Sequence, residues 1–146
     1  MRIFRKFLVF FSIGGRERVL FLEALALLIG WRLRILLLPL RSYVHRFGTR
    51  GSEHHTEGAE STMQIREIQQ AVRRAESVLP WKSKCLTEAV TTKLLLQRKS
   101  IKSTLFLGVA REGESSLIAH AWLKSGSRIV AGEKGYEKFT VVEKFS

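Results

Sequence analysis

The sequence contains no aspartate and no asparagine, one cysteine and two prolines. Each scarcity excludes something. A single thiol rules out an internal disulfide framework and any multi-cysteine zinc site, and it fits a reducing compartment, so the cytoplasm is the expected location. Without Asp or Asn, glutamate is the only carboxylate side chain, and the usual orienting partners of a catalytic imidazole are missing. Long apolar runs are scarce as well. Within the leucine-rich stretch Val19–Leu40 the longest uncharged run, Ala24–Trp31, falls far short of the roughly 20 residues that a membrane-spanning helix needs.

What is present suits one ordinary domain of 146 residues, with 45% hydrophobic and 26% charged side chains marking it as globular rather than disordered. The net charge of +12 is uneven. Residues 1–50 hold ten Lys/Arg against two Glu, and residues 51–146 hold fifteen against eleven. The excess therefore concentrates at the amino-terminal end. No interleaving of basic residues with exposed aromatics in a recognisable module is visible, so nucleic acid is not an expected partner.

Met1–Lys6 is basic and Phe7–Ile13 apolar, as in a signal peptide. However, Gly14-Gly15 runs directly into Arg16-Glu17-Arg18 without a small-x-small cleavage pattern. The spacing instead predicts a helix over Arg16–Leu38, ended by Pro39. It is apolar around most of its circumference and needs a cover. Burial within a complex is the first expectation and a core position in the same domain the second. Peripheral attachment to a membrane, helped by Arg41, Arg46 and Arg50, is the third. Residues 48–60 are polar and glycine-containing, with no apolar period, and read as a flexible linker. His54 and His55 within it have no third ligand nearby, so no metal and no cofactor is expected.

Past the linker, Ser61-Thr62 starts a helix in which Ile65, Ile68, Val72, Ala75 and Leu79 recur at three- and four-residue steps until Pro80. A second helix is predicted over Lys84–Gln97. Strands follow at Thr104–Ala110, Ser116–Lys124 and Arg128–Ala131, separated by turns at Arg111–Glu114 and Ser125–Ser127, with a last strand at Phe139–Glu143. The expected class is α+β, helices first and then an antiparallel sheet.

Cys85 falls at the first turn of the second helix, beside Lys82 and Lys84. A thiolate there is stabilised by the positive end of the helix dipole and by the lysines, which raises its nucleophilicity. His120 interrupts the apolar strand Leu117–Leu123. A thiol at a helix start and an imidazole on a strand packed against it is the order of a papain- or transglutaminase-type cysteine-histidine hydrolase. A core cysteine and a satisfied core histidine are the plainer reading of the same pattern.

Four blocks in order narrow the choice: Trp81-Lys82-Ser83-Lys84-Cys85-Leu86-Thr87-Glu88-Ala89, Leu94–Ile101, Leu105-Phe106-Leu107-Gly108-Val109 and Ala119-His120-Ala121-Trp122. Together they resemble the transglutaminase-like cysteine peptidases of lasso-peptide biosynthesis. The resemblance covers Ile65 to about Val142 closely, and the basic, leucine-rich Arg16–Phe47 segment is similar to that family's amino-terminal part. It implies a papain/transglutaminase-like core, in three parts: an apolar, basic helical segment at 1–47, a linker at 48–62 and the peptidase domain at 63–146.

The resemblance also implies an activity. The leader of a ribosomally made precursor peptide would be removed, with Cys85 as nucleophile and His120 as base and then acid. The Cys85 N–H would be an oxyanion donor, and Trp81 either a wall of the site or a core anchor. Its implied partners are the precursor, a separate leader-recognition protein and an asparagine-synthetase-like cyclase. The family often supplies an aspartate about a dozen residues after the histidine; here that stretch reads Ile129-Val130-Ala131-Gly132-Glu133-Lys134. Glu133 is then the first choice for a third member, with Glu137, a glutamine or a backbone carbonyl as substitutes. The alternatives are an acyl transfer through the same Cys-His site and a non-catalytic, membrane-associated scaffold.

Overall fold

The computed structural model describes residues 8, 10–53, 61–82 and 84–146. The expectations about Met1–Lys6, about most of the linker and about His54 and His55 lie outside the described residues.

Helix α1 spans Gly15–Leu37 and stops where Leu38 turns extended, φ −119° and ψ 146°, ahead of Pro39. The residue before a proline is pushed out of the helical region, and proline has no N–H to continue the ladder. Two short 3-10 turns follow, Leu40–Ser42 and Val44–Phe47. Helix α2 spans Ser61–Val78 and α3 spans Cys85–Arg98. Strands β1 (Thr104–Glu112), β2 (Ser116–Ser125), β3 (Arg128–Ala131) and β4 (Thr140–Phe145) form one antiparallel sheet of order β3-β2-β1-β4. This is the expected α+β arrangement of helices and a small antiparallel sheet.

The three helices pack on one another, and α3 lies on β2. The apolar period of α2 does what the spacing predicts: Ile65, Ile68, Val72 and Ala75 are all buried. They meet Leu28 and Trp31 of α1, Leu96 of α3 and Leu105 and Leu123 of the sheet in one core. Burying each large aliphatic side chain here contributes about 1.5–3 kcal/mol. One face of α1, Phe21, Ala24, Leu28 and Trp31, is thus covered by the body of the protein, while its opposite face stays exposed.

The last strand runs on to Phe145 rather than ending at Glu143, and two further regions differ from the sequence expectation. The first hairpin keeps Arg111 and Glu112 in register with Leu117 and Ser116, leaving a three-residue turn that starts at Gly113 with φ 72°. The second differs more. The described part of the expected linker, Gly48–Glu53, lies along the outer edge of β4. Thr49 and Ser146 exchange backbone hydrogen bonds of 2.8 and 3.1 Å, and Gly51 N–H donates to Lys144 at 2.8 Å. Arg50 pairs with Glu143, and Glu53 with Lys144 at 3.1 Å. An open strand edge leaves N–H and C=O groups unpaired, and this polar segment satisfies them. Edge-to-face and tilted ring contacts among Trp31, Tyr43, Phe47 and Phe145 fasten the preceding 3-10 turns to the same strand.

Successive side chains of a strand point to opposite faces. Leu105, Ala121 and Leu123 join the helix-covered core. Phe106, Gly108, His120 and Trp122 share the other face, with Phe106 opposite Trp122 and Gly108 opposite His120. There the Phe106 and Trp122 rings stack at 5.6 Å and 6°, and Tyr136 and Phe139 close over them.

Candidate active site

Cys85 is the first residue of α3, after Pro80 has ended the preceding turn and Lys84 has adopted an extended cap conformation, φ −77° and ψ 148°. Among the described residues no side-chain cap hydrogen bond is made at this end. The first N–H groups of a helix lack intrahelical acceptors, so the start of α3 presents free donors beside the sulfur. The thiol is half-buried and packs against the apolar core, and it is free of any disulfide.

His120 sits on β2 between two aromatic neighbours. Phe139 lies 4.9 Å from the imidazole, centroid to centroid, and Trp122 stacks on it at 6.0 Å and 24°. Nε2 is 2.7 Å from the backbone carbonyl oxygen of Gly132. A carbonyl has no proton to give, so Nε2 carries the hydrogen and donates it. In the neutral ring Nδ1 is therefore the basic nitrogen, directed away from Gly132.

Gly132 holds this carbonyl in place for two reasons. Its φ of 69° is a left-handed conformation that side chains disfavour, and a Cβ built on it would stand 2.3 Å from the Ala121 carbonyl oxygen and 2.9 Å from Trp122 Cα. The chain leaving β3 can press this closely on β2 only as glycine. Gly108 has the same kind of role across the sheet. A Cβ there would meet the Trp122 ring at 2.8 Å and Phe139 at 3.0 Å, so its absence lets the aromatic cover lie against the strand beside His120.

The thiol packs against the helix-covered core, whereas the imidazole lies with Phe106 and Trp122 on the other face of β2. Glu88, one turn beyond Cys85, lines a cavity together with Gly132 and Glu133, and Gly132 carries the carbonyl on His120. Among the described residues Cys85 and His120 make no direct hydrogen bond.

Helices packed on a small four-stranded antiparallel sheet agree with what family comparison finds: residues 25–144 match the Transglutaminase-like superfamily. The chain belongs to the transglutaminase-like superfamily. Neither curated proteins nor solved structures yield a match.

The atom beside the imidazole is not a carboxylate. Glu133, the expected third member, is exposed and lines the neighbouring cavity, and Glu137 is exposed on the 3-10 turn Tyr136–Lys138. Neither makes a hydrogen bond to His120 among the described residues. The main-chain carbonyl one residue earlier occupies that place.

Trp81 is exposed rather than a core anchor, and it lines a second cavity with Leu79, Pro80, Lys82, Arg73 and Glu88. Arg73 and Glu88 line both cavities. Burial pushes the Glu88 carboxyl up to about 7, with Glu76 adding to the rise and Arg73 opposing it. Among the described residues no cluster of His, Cys and Glu has the makings of a metal site.

Sequence reasoning missed Gly132, Phe139 and Glu88. A glycine twelve residues past the histidine, at the end of a predicted strand, was the available signal for the first. The other two depend on which surfaces the fold brings together.

Proposed function

We propose that this transglutaminase-like protein is a cysteine peptidase that removes the leader from a ribosomally made lasso-peptide precursor. The observation that carries the reading is the Nε2–H to Gly132 carbonyl bond, because it fixes the tautomer in which Nδ1 can accept the thiol proton. The four sequence blocks shared with lasso-peptide maturation peptidases supply the substrate class.

In this scheme Cys85 transfers its proton to Nδ1 of His120, and the sulfur attacks the scissile carbonyl carbon. The oxyanion is met by the unpaired N–H groups at the start of α3. The imidazolium then gives its proton to the departing amine, the C–N bond breaks, and a thioester remains on Cys85. Water, deprotonated by Nδ1, resolves the thioester and restores the thiol. A carbonyl orients the ring without countering the imidazolium as a carboxylate would, so turnover is slow compared with an aspartate-supported triad. Leader docking belongs to a separate recognition protein, and the freed core peptide passes to an asparagine-synthetase-like cyclase.

The test is incubation of the protein with a precursor peptide and the recognition protein, followed by mass spectrometry. Two fragments whose masses sum to the precursor plus one water support hydrolysis. A product carrying a new amide to an added amine, with no free carboxylate, assigns acyl transfer instead. An intact precursor with both proteins present refutes both.

A further inference from the structure

Helix α1 is apolar on two sides, and the core uses one of them. On the other, Val19, Leu22, Ile29, Leu33, Leu36 and Leu37 are all exposed, between 37% and 75%. Their spacing of three and four residues gathers them into an arc of roughly 100° at 3.6 residues per turn. Phe11 before the helix and Leu40 after it are exposed in the same way. Such a continuous apolar surface on a soluble face marks an interaction site.

The charges along its borders say what kind. Arg16 and Arg34 fall on one side of the arc, and Arg18 and Arg32 on the other. Arg41 and Arg46 are exposed just beyond its end. The two glutamates of α1 do not offset them, because both are engaged elsewhere: Glu17 with Arg74 at 2.9 Å and Glu23 with Arg98 at 3.4 Å. The field over the stripe is therefore positive on both borders. A second copy laid face to face on this surface would bring like charges together along the seam, with no carboxylate of α1 left to pair with them. A protein partner would need acidic residues on both flanks of one apolar ridge. An anionic bilayer surface supplies an apolar layer and negative headgroups in that relation at once.

We infer that the exposed face of α1 docks on an anionic membrane surface. The helix lies in the interfacial plane, with the leucine stripe among the upper acyl chains and the exposed Arg16 and Arg34 at the phosphates. It does not cross, since no helix among the described residues is long and apolar enough to span a membrane. The opposite face stays packed on α2 and α3, so the catalytic body is held at the surface. This inference is independent of the peptidase reading, because it uses neither Cys85 nor His120.

The experiment is flotation of the full chain with phosphatidylcholine vesicles, with and without phosphatidylglycerol. Binding that appears with phosphatidylglycerol and weakens in high salt is expected. Leu22→Gln/Ile29→Gln is expected to lower partitioning at least tenfold. Arg16→Gln/Arg34→Gln is expected to lower it by about 25-fold, at roughly fivefold per basic residue near the surface. Both variants change exposed positions, and unchanged thermal unfolding by circular dichroism verifies that they fold. The inference is overturned if the chain ignores phosphatidylglycerol, or if both variants partition like the parent. A dimer in light scattering that Leu22→Gln/Ile29→Gln dissolves, with no vesicle binding, assigns the stripe to a second copy and overturns it as well.

Discussion

On one face of the sheet Leu105, Ala121 and Leu123 are sealed under the helices; on the other, Phe106 and Trp122 are buried too but share their surface with an imidazole. The first face is closed by secondary structure, aliphatic side chains against a helix. The second is closed by a loop, through Tyr136 and Phe139, and depends on two glycines that let aromatic rings and a carbonyl come within contact of β2. The difference teaches where stability and chemistry reside. Substitutions under α3 are expected to cost folding free energy, and substitutions on the aromatic side to cost rate.

The largest expected effect lies at the proposed reacting pair, Cys85 on α3 and His120 on the aromatic face. Cys85→Ala and His120→Ala are each expected to lower precursor cleavage by about a thousandfold or more, with unfolding midpoints near that of the parent. A variant that loses fold together with activity would break the comparison. On the helix side, Leu123→Ala is expected to destabilise by about 2–5 kcal/mol in urea titration, with cleavage by the remaining folded protein little changed.

Gly132→Ala tests the loop that joins the two. An alanine at φ 69° costs about 1–2 kcal/mol, and its Cβ clashes with the Ala121 carbonyl, so the Gly132 carbonyl must shift from Nε2. Cleavage is expected to fall about a hundredfold, as for a catalytic group misplaced by an ångström. Glu133→Gln is the control and is expected to leave kcat within about twofold, because that side chain makes no bond to the ring.

Charged groups on α3 give the smallest effects, and their signature is in pH rather than rate. The folded value of Glu88, about 7, lies above its ordinary one, so the protein binds more protons folded than unfolded between these limits. Its contribution is therefore fully present below pH 4.5 and is lost as pH rises through 7. Glu88→Gln is expected to remove that decline and to be more stable above neutrality by about 2 kcal/mol, read from urea midpoints at several pH values. Lys93 behaves with the opposite sense. Buried beside the Ser103 carbonyl at 2.9 Å, it is pushed down to about 8. Its contribution is present above its ordinary value near 10.5 and is lost as pH falls through 8. Lys93→Met is expected to flatten that slope.

Much of the fold was legible because punctuation is local. Pro39 and Pro80 ended their helices within a residue or two of the expected position, and Gly126-Ser127 closed the β2–β3 hairpin as its turn chemistry required. Cys85 and His120 could be placed on their elements for the same reason, by helix and strand period. The imidazole's partner could not, because a main-chain carbonyl leaves no residue type to read, and only the approach of Gly132 to β2 puts it there. Nor could the seating of Gly48–Glu53 on β4, since a polar segment satisfying a strand edge has the composition of a free linker. The apolar character of α1 was evident, but its division into a core face and an exposed face needed the neighbouring helices.

The central claim is that thiol and imidazole act as one unit, and the most direct measurement is the rate of Cys85 alkylation by iodoacetamide at neutral pH in the parent and in His120→Ala. The account predicts at least about a tenfold slower reaction once the imidazole is gone, with the fold intact. Equal rates in the two proteins would contradict it.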